Sequence, residues 1–180
     1  CCINAAGYSM KPFIIVPMLL NLPEELKQLS DSAYFASSPS GWVTSKLFLS
    51  WCIFFVHTLI TYRLENGMLL KRNNAFKSPC FLFLDGHKTR LNSEAIEILY
   101  KNNVRVIVFP SHTTHVLQPF DVSLAAPLKN AIHRLGGKFP SHMEKIASNL
   151  CPTAKNRFFV VHTLIDAWKT VCSLRNIESG

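Results

Sequence analysis

Residues 80–88 read CFLFLDGHK, and residues 104–122 read VRVIVFPSHTTHVLQPFDV. The first stretch is a continuous apolar run, Cys80 to Leu84, that stops at Asp85, Gly86 and His87. Such a run predicts a strand buried on both faces that delivers one acid to its C-terminal edge. Between the two stretches, Asn92 and Ser93 supply a helix start, and Ala95, Ile98 and Leu99 an apolar face. Asn102-Asn103 closes that helix, and Val104 to Phe109 is a second β-rich run. Strand, helix and strand in this order predict two parallel neighbours, because parallel strands need a crossover. The second strand empties into a loop, Pro110 to Pro119, that leads to Asp121. Open α/β sheets gather their sites at the carboxyl ends of strands, so Asp85 and Asp121 are expected at one sheet edge.

The composition around this stretch is that of a globular chain. Its 180 residues are 48% hydrophobic and 17% charged, enough for one domain with a real core. The net charge of +8 is unevenly placed: residues 1–70 hold four Lys/Arg and four Asp/Glu, and residues 71–180 hold fifteen and seven. A basic half that also carries the acid pair suits a polyanion such as DNA, although solvated surface gives the same charge pattern. The six cysteines show no C-x-x-C spacing and no secreted-domain framework. Cys52 and Cys80 sit in apolar runs and read as small buried hydrophobes, which favours a reducing compartment. No signal or transit segment is visible, and the first residue is Cys1, not Met.

Working outward, CCINAAGY and FIIVPML read as two strands joined by a turn and paired as an antiparallel hairpin. Leu22 to Ser40 reads as loop or short helix, with Glu24, Glu25 and Asp31 on solvated surface. Leu47 to Tyr62 carries no charge and is apolar on both faces. Its sixteen positions fall short of a membrane span, which needs roughly 17–25 residues. A helix capped by Thr44 and buried against the sheet is expected, with His57 as a core histidine and no membrane partner. Glu65 to Ser78 reads as a turn-rich connection with a basic cluster at Lys71, Arg72 and Lys77. Beyond Asp121, a helix is expected from Pro127, with Leu128, Ile132 and Leu135 inward and Gly136-Gly137 at its end. After a linker with Pro140 and Pro152, a last helix spans about 155–174, with Phe158, Val161, Ile165, Trp168 and Cys172 inward.

DGHKTR at 85–90 followed by PSHTTHVLQPFDVSLAAPLK at 110–129 resembles the catalytic half of a DDE-type transposase of the mariner/pogo superfamily. The similarity is greatest to the pogo-derived branch that includes jerky-like and centromere-protein-B-like chains. Thirty-five residues separate the two acids, and INAAGY at 3–8, SGW at 40–42 and the Trp-containing last helix extend the likeness over most of the chain. The resemblance implies a ribonuclease-H-like α/β fold, a mixed sheet flanked by helices. Residues 1–140 would form the catalytic core and 141–180 a linker and a helix on that core. It also implies DNA as the partner, room for a homo-oligomer, and a nuclear location.

In that family three acids hold two Mg²⁺ or Mn²⁺ ions for phosphodiester chemistry, since these hard cations prefer oxygen ligands. Asp85 matches the second acid and Asp121 the third; the first is expected on a strand preceding CCINAAGY, so the site of this chain is expected to be incomplete. The family commonly continues D-G-H-x-S-H, whereas Arg90 holds the last position here, and Phe120 stands where Leu is frequent. Lys88, Arg90 and Lys129 are the candidate phosphate contacts. His87, His112 and His115 lack the fourth ligand a tetrahedral zinc site needs. For His112, His115 and Gln118 two readings stand: contact with nucleic acid or the metal's hydration, and packing of the loop. Two functions stand likewise: a metal-dependent nuclease, and a domesticated remnant that binds nucleic acid without cutting it.

Overall fold

In a computed structural model the chain is α/β, and the structure describes residues 1–17, 21–68, 78–90, 92–110, 113–136, 144 and 148–172, without the side chains of 114 and 115. In chain order the elements are β1 (Phe13–Pro17), α1 (Glu24–Lys27), β2 (Tyr34–Ser38), α2 (Ser45–Glu65), β3 (Cys80–Leu84), α3 (Ser93–Lys101), β4 (Val104–Val108), α4 (Thr114–Leu117), α5 (Ala125–Gly136) and α6 (Pro152–Val171). A 3₁₀ turn, Lys88–Arg90, follows β3, and a π turn, Phe120–Leu124, precedes α5. Two compact units form, one from Trp42–Leu117 and one from Cys1–Gly41 with Gln118–Gly180.

In the Trp42–Leu117 unit, β3 pairs parallel with β4, from Cys80 opposite Val104 to Leu84 opposite Val108. The crossover is α3, as its sequence predicts. Asn92 Oδ1 accepts the Ala95 N–H at 3.0 Å, and Ala95 and Leu99 are fully buried. The helix ends at Asn103, whose φ of +57° is left-handed, a conformation asparagine tolerates better than most residues. The Asn103 carbonyl then accepts the Cys80 N–H at 3.0 Å, so the residue that stops the helix also begins the ladder. One expectation needs correction. Leu82 and Leu84 are buried, but Phe81 and Phe83 are 57% and 53% exposed, so β3 is buried on one face only. A run without polar residues carries no alternation from which to tell the two cases apart.

Helix α2 is longer than its uncharged stretch. Thr44 Oγ1 accepts the Leu47 N–H at 3.2 Å, which confirms the expected cap. Phe48, Cys52, Phe55 and Val56 are buried, and α2 packs against α3 and the Lys88–Arg90 turn. Burial pushes the Cys52 thiol up to about 12, so it stays protonated and inert at neutral pH. Deep burial all round is not found: Ile53 and Leu64 are exposed, and His57 is exposed too, not a core histidine. At 21 residues α2 is long and apolar enough to cross a membrane by length and composition. Arg63 is nevertheless buried near its end, donating from Nη1 to the Ser78 carbonyl at 2.8 Å. Lys71, Arg72 and Lys77 lie outside the described residues.

In the other unit the expected hairpin is replaced by a different pairing. Residues 1–10 fold on themselves through an antiparallel bridge between Ile3 and Ser9. Asn4 Oδ1 accepts the N–H groups of Ala6 (3.0 Å) and Tyr8 (2.8 Å), and Gly7 takes a left-handed φ of +82°. That turn accounts for the INAAGY stretch. β1 instead pairs parallel with β2, Phe13 opposite Tyr34 through Pro17 opposite Ser38, in a segment read as loop. Gly41 of SGW has φ +75°, and a Cβ there would meet the Pro17 ring at 3.5 Å.

Helix α6 organises this unit. Val161 and Ile165 join Val16, Leu26 and Ala33 in one cluster; Ala167 and Val171 join Leu124 and Ala131 in another, flanked by Leu128, Ile132 and Leu135. The expected stripe of Phe158, Val161, Ile165 and Trp168 is buried, and Cys172 caps the end half-buried. Pro152 opens the helix rather than belonging to a linker, because the first turn has no intrahelical use for its missing N–H. Pro127 does not start α5, which runs in from the π turn two residues earlier. Gly137, Pro140 and Leu174 lie outside the described residues. Glu25 also departs from expectation: it is buried, and its Oε1 accepts from Arg157 Nε at 3.1 Å and from Nη2 of the same guanidinium.

Two stability outcomes are expected. Arg157→Ala strands the Glu25 carboxylate and destabilises by about 2–3 kcal/mol, somewhat below a fully buried pair because Arg157 keeps some solvent contact. Asn103→Val loses about 1–2 kcal/mol through its left-handed backbone, whereas Asn103→Gly is tolerated within about 1 kcal/mol. Chemical denaturation midpoints check both.

Candidate active site

Asp85 is the first residue after β3, so the parallel pairing with β4 fixes its backbone at the carboxyl end of the strand. Its side chain is 27% exposed. Both oxygens are engaged: Oδ1 accepts the His87 N–H at 3.1 Å, and Oδ2 lies 2.9 Å from Arg90 Nη1. The chain reaches Arg90 through the 3₁₀ turn, in which the Arg90 N–H donates to the His87 carbonyl at 2.9 Å. His87 Nδ1 is 2.8 Å from Thr89 Oγ1, and the Thr89 N–H points to the same nitrogen at 3.4 Å. Lys88 points from the same turn into solvent. DGHKTR is therefore one closed local structure, a carboxylate wrapped by its own following turn.

Asp121 lies in the π turn Phe120–Leu124 of the other unit. Its N–H and that of Val122 both donate to the Gln118 carbonyl, at 2.9 and 3.1 Å. Phe120 lies tilted against Trp168 with ring centroids 6.5 Å apart, and Leu124 is fully buried. These two anchors turn the Asp121 side chain outward, where it is exposed. Lys129 is likewise exposed on α5. Gln118 Oε1 is buried with no hydrogen-bond partner among the described residues. His112 lies outside the described residues; His115 is on α4, but its side chain lies outside them.

Two carboxylates with hard oxygen atoms are the donor type Mg²⁺ and Mn²⁺ take. The Arg90 guanidinium already occupies one Asp85 oxygen and the His87 N–H the other, so neither is open to a metal as the turn stands. Among the described residues no group of three or more His, Cys, Asp or Glu side chains comes together. The Asp85–Arg90 pair is the feature that sequence reasoning missed. Its signal is local, an arginine five residues after the acid where the resembled pattern has histidine.

Comparison with known proteins is consistent with the motifs. The MFS-type transporter clz9 of Cochliobolus lunatus is 28% identical over 133 residues, which are 73% of this chain and 13% of that protein. The chain thus spans a small part of that relative's length. No solved structure matches the chain. The model of the DDE superfamily endonucleases matches residues 1–180, and the chain belongs to that family.

Proposed function

We propose that the chain is the catalytic region of a pogo-like transposase, acting on DNA in the nucleus with Mg²⁺ or Mn²⁺ as cofactor. The observation that carries this reading is Asp85 at the carboxyl end of β3, inside a chain matched throughout by the DDE endonuclease model. On this reading the described strands belong to a ribonuclease-H-like sheet, with 1–140 as the core and 141–180 as the helical extension. Asp85 and Asp121 would be the metal ligands, and the metal would polarise the scissile phosphate and lower the pKa of the attacking hydroxyl group. Lys88, Arg90 and Lys129 hold the DNA backbone, and His112, His115 and Gln118 border the strand being cut. Two carboxylates neutralise only half the charge of two dications, so this reading calls for a third acid, which the family resemblance would put on a strand before CCINAAGY. Both oxygens of Asp85 are already engaged by Arg90 and the His87 N–H, and that favours a second reading. In it the chain is a domesticated remnant that grips nucleic acid without cutting.

A cleavage assay in Mn²⁺ separates the two. The nuclease reading expects cutting by a chain extended N-terminally through the preceding strand, little cutting by residues 1–180 alone, and loss of activity in Asp85→Asn. Inactivity of both lengths leaves the remnant. DNA binding is expected to be weakly sequence-dependent under either reading. If about six phosphates are contacted, affinity falls on the order of 10³-fold between about 50 and 200 mM salt. A binding curve indifferent to salt removes the basic half from the DNA interface.

A further inference from the structure

We propose that residues 85–90 form a phosphate grip that needs no metal, in which Asp85 positions the Arg90 guanidinium for the DNA backbone. The inference rests on the second reading above, a chain that grips nucleic acid without cutting it, and it gives Asp85 a task there. Asp85 does not fit a dication as the turn stands, because Oδ1 takes the His87 N–H at 3.1 Å and Oδ2 the Arg90 Nη1 at 2.9 Å. The same two contacts make it a strut. One oxygen is tied to the backbone of the turn and the other to the guanidinium, so the carboxylate fixes where Arg90 stands. The turn is also held from elsewhere: the Arg90 N–H donates to the His87 carbonyl at 2.9 Å, and Lys88–Arg90 packs against α2. A guanidinium carries five N–H donors in a rigid fork. Asp85 engages it at Nη1 only, and the side chain is 31% exposed, so donors remain for a ligand arriving from solvent. Lys88 is exposed on the same turn and adds a second positive charge. A planar fork beside an ammonium suits the oxygen atoms of a phosphodiester. Because Arg90 is ordered before the ligand arrives, less side-chain entropy is lost on binding. Asp85 thus acts on a polyanion in two opposing ways. Its charge repels phosphate, which salt weakens, and its hydrogen bond orients Arg90, which salt leaves in place. The grip requires that orientation win.

The test measures binding of a fluorescent DNA duplex to the full chain by anisotropy, at about 150 mM salt and with a chelator present. Arg90→Ala is expected to weaken binding about 5- to 10-fold, and Arg90→Lys nearly as much, since an ammonium lacks the fork. Asp85→Ala is expected to weaken it about 2- to 5-fold, although the variant removes a negative charge. Asp85→Asn keeps the shape of the turn and is expected to bind about 2-fold more weakly than wild type, because an amide oxygen holds a guanidinium less firmly than a carboxylate does. In an Arg90→Ala background, neither change at Asp85 is expected to weaken binding further, a coupling that general loosening of the fold does not produce. Binding by Asp85→Asn as tight as wild type or tighter overturns the positioning role, and so does a loss that persists without Arg90. Mn²⁺ binding by wild type that disappears in Asp85→Asn, followed by electron paramagnetic resonance of the free ion, overturns the metal-free character of the turn. No DNA binding by the wild-type chain overturns the nucleic-acid reading itself.

Discussion

Parallel pairing of β3 with β4 is the constraint on which the Asp85 region depends. Two parallel strands cannot be joined by a tight turn, so residues 85–103 must leave the end of β3, cross the sheet and return to its beginning. A crossover of that length is stable only if it buries an apolar face of its own. Ala95 and Leu99 supply it, each fully buried. Its two ends have different tasks. At the far end Asn103 stops the helix in a left-handed conformation and gives its carbonyl to the Cys80 N–H. At the near end the chain has just left the ladder, and Asp85, Gly86 and His87 turn it toward α3. The acid stands at the strand terminus because the crossover starts there.

The unit of Cys1–Gly41 and Gln118–Gly180 answers to long-range contacts instead. Trp168 Nε1 donates to the Met10 carbonyl at 3.0 Å, and Arg157 meets Glu25, so α6 closes on segments more than 130 residues earlier. Such closures set the position of the π turn. Phe120 and Leu124 are held by the α6 side of this unit, through Trp168 and through Ala167 and Val171. With those two side chains directed inward, a turn of wide π pitch leaves Asp121 on the outside. Extra-wide turns of this kind cost helix geometry, and they recur where a side chain must be re-aimed for function.

What the sequence made legible follows the range of the interactions. Elements stabilised by neighbours in the chain were readable: the caps at Thr44 and Asn92, the stop at Asn103 and the β3–α3–β4 order; the inner stripe of α6 was readable from its helical period alone, although its partners are distant. Elements decided by distant partners were not. Glu25 looks like solvated surface until Arg157 is brought to it, 132 residues away. β2 is five residues, two of them serine, and its strand character comes from the β1 edge rather than its own propensity. Phe81 and Phe83 are as apolar as Leu82 and Leu84, so no local pattern told the covered face of β3 from the exposed one. At the site itself both acids were readable as motif positions. The Arg90 contact was within local range, but the eye that seeks a phosphate ligand in an arginine overlooks the carboxylate five residues behind it.

The charge distribution links the acids to the basic residues around them. A chain of net charge +8 repels small dications at long range, and the fifteen Lys/Arg of residues 71–180 surround Asp85 and Asp121 in the sequence. Taken alone, that field opposes the metal the acids are proposed to hold. A DNA backbone reverses the sign. Its phosphates neutralise lysine and arginine side chains, release their own counterions, and offer hard oxygen atoms beside the carboxylates. Arg90 Nη1 already sits 2.9 Å from Asp85 Oδ2, so a dication proposed for Asp85 would meet a cation in place. On the proposed nuclease reading, the same basic surface that would weaken metal binding in the free chain would therefore strengthen it in a DNA complex, so the acids alone would not set the metal affinity.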